Sequence, residues 1–355
     1  MTTLPPRYQP TGNTAQGGFG SVIFCTDLHL ERLVAIKFIQ DPAEKNRIID
    51  EIRALLQLRS KHVVQVYDIV GLGTESLGIV EEYIDGDDLW VSHFPKYSLE
   101  NYLKTLWQVA SGLTDIHSAK IIHRDIKPNN MKLDAEGLIK IYDFGLARYE
   151  ELNAQTKGFK GTPGFAAPEL YSHNTVVFSR AIDTYAFGVS AIFFTGAPLP
   201  TCLMQVPPTA PPPGSFLTLP LAVPKELGTL LESCFSTDPA ARPAMEYVRN
   251  EIARYLLKDK HQAIVIHNGT PQYLNSQTKS VQLELQQIGK VEIGYDGLHF
   301  KVIYVNGEIY INNTAAQVGM ILPSSCVVAI GNAHIRRPKE RAFITFDVSN
   351  PEVVL

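Results

Sequence analysis

His123-Arg124-Asp125-Ile126-Lys127-Pro128-Asn129-Asn130 packs a base, two cations and an amide ligand into eight consecutive residues. Asp125 can accept a proton from an attacking hydroxyl. Asn130, five positions later, offers an amide oxygen to a hard cation such as Mg²⁺. Lys127 puts positive charge two residues from the base. An oriented nucleophile, a metal and a counter-charge are what phosphoryl transfer requires. A polar surface turn would use the same residue types, so the surrounding chain has to supply the rest.

Downstream, Ile139-Lys140-Ile141-Tyr142-Asp143-Phe144-Gly145 sets a carboxylate after a short strand, 18 residues beyond Asp125. Upstream, Val34-Ala35-Ile36-Lys37 buries a lysine in an apolar strand, which is costly unless its head meets an anion. Before it comes Ala15-Gln16-Gly17-Gly18-Phe19-Gly20-Ser21-Val22, where glycines let backbone N–H groups approach phosphates. Strand-like runs 21–27 and 32–39 follow, so this loop lies between strands, unlike a dinucleotide-binding turn, which opens a helix. Asp41-Pro42-Ala43-Glu44 starts a helix expected to reach about Arg59, with Ile48, Ile52, Leu55 and Leu56 on one face. Glu51 lies beside that face and is the expected partner of Lys37; Glu44 is the second choice and reads better as a cap.

Further along, 98–117 has helical spacing, and Gly161-Thr162-Pro163-Gly164-Phe165-Ala166-Ala167-Pro168-Glu169 closes a loop that begins at Asp143. Asp183-Thr184-Tyr185-Ala186-Phe187-Gly188 opens the next apolar helix, and Arg242 follows Asp238-Pro239-Ala240-Ala241. Together these motifs resemble, in order and spacing, those of a Hanks-type Ser/Thr protein kinase over residues 8–258. The resemblance implies an α+β fold: a small lobe at about 8–84 and a large lobe at about 85–258.

It also implies ATP as phosphoryl donor, with Mg²⁺, or Mn²⁺ in its place. Asp125, Lys127, Lys37 and Glu51 would be catalytic, and Asn130 and Asp143 would hold the metal. Ala15, Gly17, Gly18, Phe19, Gly20, Val22, Ala35, Lys37, Glu82, Ile84 and Lys132 would surround the nucleotide. Ala15 stands where the family has a glycine. Glu81 takes a position that is usually apolar or Thr, and Lys132 one that is usually Leu. These two could meet each other, or Lys132 could lay its stem under the base. Thr156 is the candidate phosphoacceptor of the activation loop; Thr162 would rather orient Asp125 and Lys127. Asp183 would cap the catalytic loop, and Arg242 would pair with Glu169. Two rivals remain: a nucleotide-binding pseudokinase or scaffold, and a small-molecule kinase, which lacks the 161–169 docking segment.

At 355 residues, 45% of them hydrophobic, the chain can build such a core and a further small domain. A net charge of −4 argues against nucleic acid as the main partner, and the kinase resemblance implies protein substrates. The four cysteines are scattered without a C-x-x-C pair, which fits a reducing cytoplasm. The first ten residues carry no apolar signal core. The run 186–199 is too short and too interrupted to span a membrane.

Residues 259–280 read as a polar linker with one apolar patch, 263–266. Beyond them the pattern turns to short β runs, a sandwich-like all-β domain at 281–355. Asn306-Gly307, between runs 301–305 and 308–311, signals a two-residue hairpin. Gly289-Lys290, Gly297-Leu298-His299 and Asn312-Asn313-Thr314 loosely resemble the motifs of a forkhead-associated (FHA) domain. That resemblance implies a phosphothreonine peptide or protein partner. Both arginines and the serine of the family's motifs are absent, so a degenerate scaffold or dimerisation module is the alternative.

Overall fold

The computed structural model describes residues 4–17, 20–39, 55–71, 77–90, 98–144, 148–149, 155–156, 162–172, 176–267, 269–332, 341–349 and 353. Two compact units divide the chain: residues 1–252 with 355, and residues 253–354.

In the first unit, β1 (Tyr8–Gly17), β2 (Gly20–Asp27), β3 (Arg32–Ile39), β4 (Val66–Val70) and β5 (Leu77–Glu82) form an antiparallel sheet in the order β1-β2-β3-β5-β4. Alternation along β3 explains its place. Val34 and Ile36 turn into a core with Tyr8, Cys25, Val70 and Val80, so Ala35 and Lys37 face the other way. The glycine-rich stretch is the tip of the β1–β2 hairpin, with Gly17 opposite Gly20. Of the expected helix 41–59, residues 55–57 are described and helical.

Then come β6 (Gly86–Asp88), α1 (Leu99–Ser118), β7 (Ile121–Ile122), β8 (Met131–Asp134) and β9 (Ile139–Ile141). Ser98 caps α1 by accepting from the Asn101 N–H at 3.2 Å. Tyr102, Leu106, Val109, Leu113 and Ile116 line its buried face. Gly112 is required there: a Cβ would come within 2.8 Å of the His62 carbonyl. The short strands β10 (Arg148–Tyr149), β11 (Gln155–Thr156) and β12 (Val176–Val177) follow. β10 pairs with β7, β11 with β12, and β6-β8-β9 form a small sheet. α2 (Ala181–Phe193) is buried on nearly every side, and Tyr102 of α1 donates to its Ala191 carbonyl at 3.0 Å. α3 (Lys225–Ser233) and α4 (Met245–Leu256) complete the helices. No helix among the described residues is long and apolar enough to cross a membrane.

The second unit holds β13 (Gln262–His267), β14 (Thr270–Leu274), β15 (Ser280–Leu285), β16 (Gly289–Tyr295), β17 (Phe300–Gly307), β18 (Ile309–Ile311), β19 (Thr314–Ala315), β20 (Ser325–Ile330) and β21 (Ala342–Ser349). They form a six-stranded sheet, β14-β13-β21-β20-β18-β19, and a three-stranded one, β15-β16-β17. Val265, Leu283, Val291, Val302, Val328 and Phe346 lie in the core that both sheets share.

Two expectations change here. Residues 259–280, read as a linker, carry β13 and β14, because Ala263 and Val265 alternate inward and pair β13 with β21. Asn306-Gly307 makes no hairpin. β17 pairs with β16 while β18 pairs with β20, so the chain crosses from one sheet to the other at Gly307. Gly307 has φ +81, and a Cβ would lie 2.4 Å from the Ile288 carbonyl, so the crossing needs glycine on both counts.

Candidate active site

The 123–130 segment hangs from Asp183. The Asp183 carboxylate accepts from the His123 and Arg124 N–H groups, both at 2.8 Å, and from His117 Nε2 at 3.0 Å. Burial alone would raise its pKa, but these hydrogen bonds outweigh it and hold the carboxyl below the usual range. Arg124 sits at φ +71, a strained conformation for a residue with a Cβ, and the two amide bonds fix it there. Its guanidinium lies 3.7 Å over the Phe178 ring.

With the backbone held, the side chains converge. Asp125 Oδ2 accepts from Lys127 Nζ at 2.8 Å and from Asn130 Nδ2 at 2.9 Å. Asp125 Oδ1 accepts from Thr162 Oγ1 at 2.8 Å, and Lys127 Nζ donates to that hydroxyl at 2.7 Å. The Asn130 amide nitrogen is spent on Asp125, which leaves its oxygen for a hard cation. Among the described residues no cluster of three His, Cys, Asp or Glu side chains could hold a metal. Asn130 and Asp143 are the residues that could hold such a cation.

Lys37 Nζ pairs with Asp143, which stands at φ +66. Glu51, the expected partner of Lys37, lies outside the described residues, as do Gly18 and Phe19. A second carboxylate is close. Lys37 is opposite Ile79 and Ala35 opposite Glu81, so Glu81 shares the Lys37 face of the sheet as a diagonal neighbour. Glu81 is buried. That burial raises its pKa to about 7, with Lys37 opposing and Asp143 reinforcing the shift. The folded chain thus keeps a proton that the unfolded chain has lost between pH 4.5 and about 7. This contribution is complete below the unfolded value and disappears as pH rises through the folded one. At roughly 1.4 kcal/mol per pH unit it amounts to about 3 kcal/mol. Urea unfolding between about pH 5 and about pH 8 should show wild type losing this stability relative to Glu81→Gln, the buried histidines contributing equally to both.

Next to Glu81, Glu82 ends β5. Its carboxylate pairs with Lys140 Nζ at 2.9 Å, and its N–H donates to the Gln65 carbonyl at 2.8 Å. Ile84 is buried two residues on. Lys132 turns to Asp88, Nζ to Oδ1 4.0 Å, because β6 and β8 place the two opposite each other. Tyr142 Oη lies 2.9 Å from Asp88 Oδ1 and 2.6 Å from the Asn129 carbonyl. Sequence reasoning misses Asp88 and Tyr142. The signal it could have used is a bulky phenol directly before Asp143. Ala15, Gly17 and Gly20 belong to the β1–β2 hairpin, and Val22 is opposite both Ala15 and Lys37.

Thr156 lies in β11, paired with Val176 of β12. Glu169 receives a two-point bond from Arg242 at 2.7 and 2.8 Å, and Arg242 also donates to the Ser236 and Ala181 carbonyls, both at 2.9 Å. In the second unit Lys290 pairs with Asn306, whereas His299 precedes Phe300 at the far end of the β16–β17 pair. Five residues of strand, about 17 Å, separate the two ends, so these residues do not meet.

A family model described as protein kinase domain matches residues 8–252. The mitogen-activated protein kinase kinase kinase A of Dictyostelium discoideum is 30% identical over 254 residues, covering 67% of this chain and 26% of the relative. The mitogen-activated protein kinase kinase kinase nsy-1 of Caenorhabditis elegans is 28% identical over 305 residues, 79% of this chain and 19% of its own length. A probable serine/threonine-protein kinase of D. discoideum is 30% identical over 253 residues, 67% of this chain and 49% of its own length. The chain thus spans less than half the length of these curated relatives.

Proposed function

The chain belongs to the protein kinase family, and from that premise we propose that it transfers the γ-phosphoryl group of ATP to serine and threonine hydroxyls of proteins. The observation that carries this is the Asp125 carboxylate, held at 2.8–2.9 Å by Lys127, Thr162 and Asn130. Asp125 orients the acceptor hydroxyl and takes its proton. Lys127, beside it, balances phosphate charge, and Lys37 does the same from β3. Asn130 and Asp143 would hold Mg²⁺, or Mn²⁺ in its place, and the cation would supply charge neutralisation to the phosphates. Catalysis is then positioning and electrostatics rather than covalent chemistry.

Ser/Thr rather than Tyr selectivity is supported by Lys127 and Thr162 bonding to each other next to the base. Thr156 is the proposed autophosphorylation site; Thr162, bound to the base, orients it. Glu51 is the proposed partner for Lys37 once a metal takes Asp143. The four free cysteines fit a cytoplasmic protein. For the second unit, the FHA-like reading of a phosphothreonine or protein partner rests on Lys290 and the 312–314 turn, without His299.

The test is incubation of the purified chain with γ-labelled ATP and Mg²⁺, with phosphosites mapped by mass spectrometry. Label should appear on Ser and Thr, with Thr156 among the sites, and chelation of divalent cations should abolish it. Nucleotide binding without any transfer would favour the alternative, a nucleotide-binding scaffold whose second unit holds a partner.

A further inference from the structure

Resting on the reading of this cleft as a nucleotide site, we propose that Tyr142 occupies the place of the nucleotide's sugar and thereby sets nucleotide affinity in this chain. The base side of the cleft is the 82–84 segment and the phosphate side is Asn130 with Asp143, so the ribose must lie between them. Two groups border that gap. Asp88 stands four residues beyond Ile84, on the strand that pairs with Lys132. Asn129 adjoins Asn130. A carboxylate and a carbonyl are both acceptors, and the natural complement of two converging acceptors is a vicinal diol, which brings two protons.

Instead the two acceptors converge on one atom, Tyr142 Oη, at 2.9 and 2.6 Å. A phenol has a single proton and donates it to one of them at a time, while Lys132 Nζ also lies 4.0 Å from Asp88 Oδ1. Tyr142 is therefore a one-proton substitute for a two-proton ligand. The Tyr142 backbone is anchored on both sides: its N–H donates to the Asn130 carbonyl at 3.0 Å, and its carbonyl meets His123 Nε2 at 3.1 Å. Nucleotide enters by displacing the ring, so the apparent dissociation constant equals the intrinsic one divided by the fraction of molecules with the ring out.

Titration calorimetry of the full chain with Mg²⁺-ATP tests this, using wild type, Tyr142→Phe and Tyr142→Ala. Losing a hydrogen bond to a charged acceptor should tighten ATP about tenfold in Tyr142→Phe, and at least as much in Tyr142→Ala. Tyr142→Phe keeps the ring volume, so folding is preserved if the alanine variant is lost. Binding by Tyr142→Phe where wild type binds no nucleotide also supports the proposal. Equal or weaker binding by Tyr142→Phe than by a wild type that binds ATP overturns it and leaves the nucleotide-site reading standing. If none of the three binds Mg²⁺-ATP, both fall.

Discussion

Asp125→Ala is expected to lower the rate of phosphoryl transfer at least about 10³-fold while the chain stays folded. Removing the carboxylate deletes the proton acceptor and the anchor that Lys127, Thr162 and Asn130 share. Lys127 and Thr162 can still bond to each other at 2.7 Å. Asn130 Nδ2 keeps its bond to the Asp125 backbone carbonyl at 2.8 Å. Stability should therefore change little. Asp125→Asn separates the two roles, because it preserves shape and cannot take a proton. A loss within tenfold of the alanine variant identifies proton acceptance, rather than anchoring, as the larger contribution of this side chain. Steady-state transfer of γ-label, with melting curves on the same samples, makes the comparison. A loss below tenfold in Asp125→Ala would remove this residue from the mechanism.

Asp183→Asn should act on the fold instead. Its carboxylate is fully buried and faces three donors, two of them backbone amides. Asparagine presents an NH₂ to at least one of those donors and loses the charge that strengthens the others. Breaking a buried, multiply bonded carboxylate costs about 3–5 kcal/mol, a large share of a typical domain's stability. Chemical denaturation should shift by that amount, and activity should fall because the 123–124 backbone loses its anchor. Because the folded pKa of Asp183 is depressed, its stabilising effect is complete above the ordinary carboxylate range and is lost as pH falls through the folded value. The acid limb of unfolding should therefore be shallower in Asp183→Asn than in wild type, with Asp27 and Asp296, also held low, still contributing to it. Retention of full stability would mean that Arg124 holds its left-handed backbone without this anchor.

Much of the site is legible in the chain itself. Asp125, Lys127, Asn130 and Thr162 can be named together because phosphoryl transfer demands those side-chain types at fixed spacing. β3 is readable from its period of two. What escapes is set by pairing across the chain. Asp88 and Tyr142 are 54 residues apart, and only the β6-β8-β9 sheet brings them together. The Asn306-Gly307 pair carries a genuine local signal, φ > 0 at glycine, but the hairpin and the sheet crossing share that signal and differ only in which strands lie opposite. Residues 259–280 look polar because β14 exposes four of its five side chains at the edge of a sheet.

That edge has a further consequence, for solubility. His267 and Thr270 pair across a two-residue turn, so the next pair, Ile266 and Pro271, has its amides directed away from each other. Pro271 thus stands at an outward-facing position of β14 and offers an incoming strand no N–H there. The opposite edge of the same sheet is β19, only two residues long. A sheet blunted on one side and truncated on the other is a poor template for aggregation, even though Phe343, Ile266 and Tyr273 lie exposed on its strands.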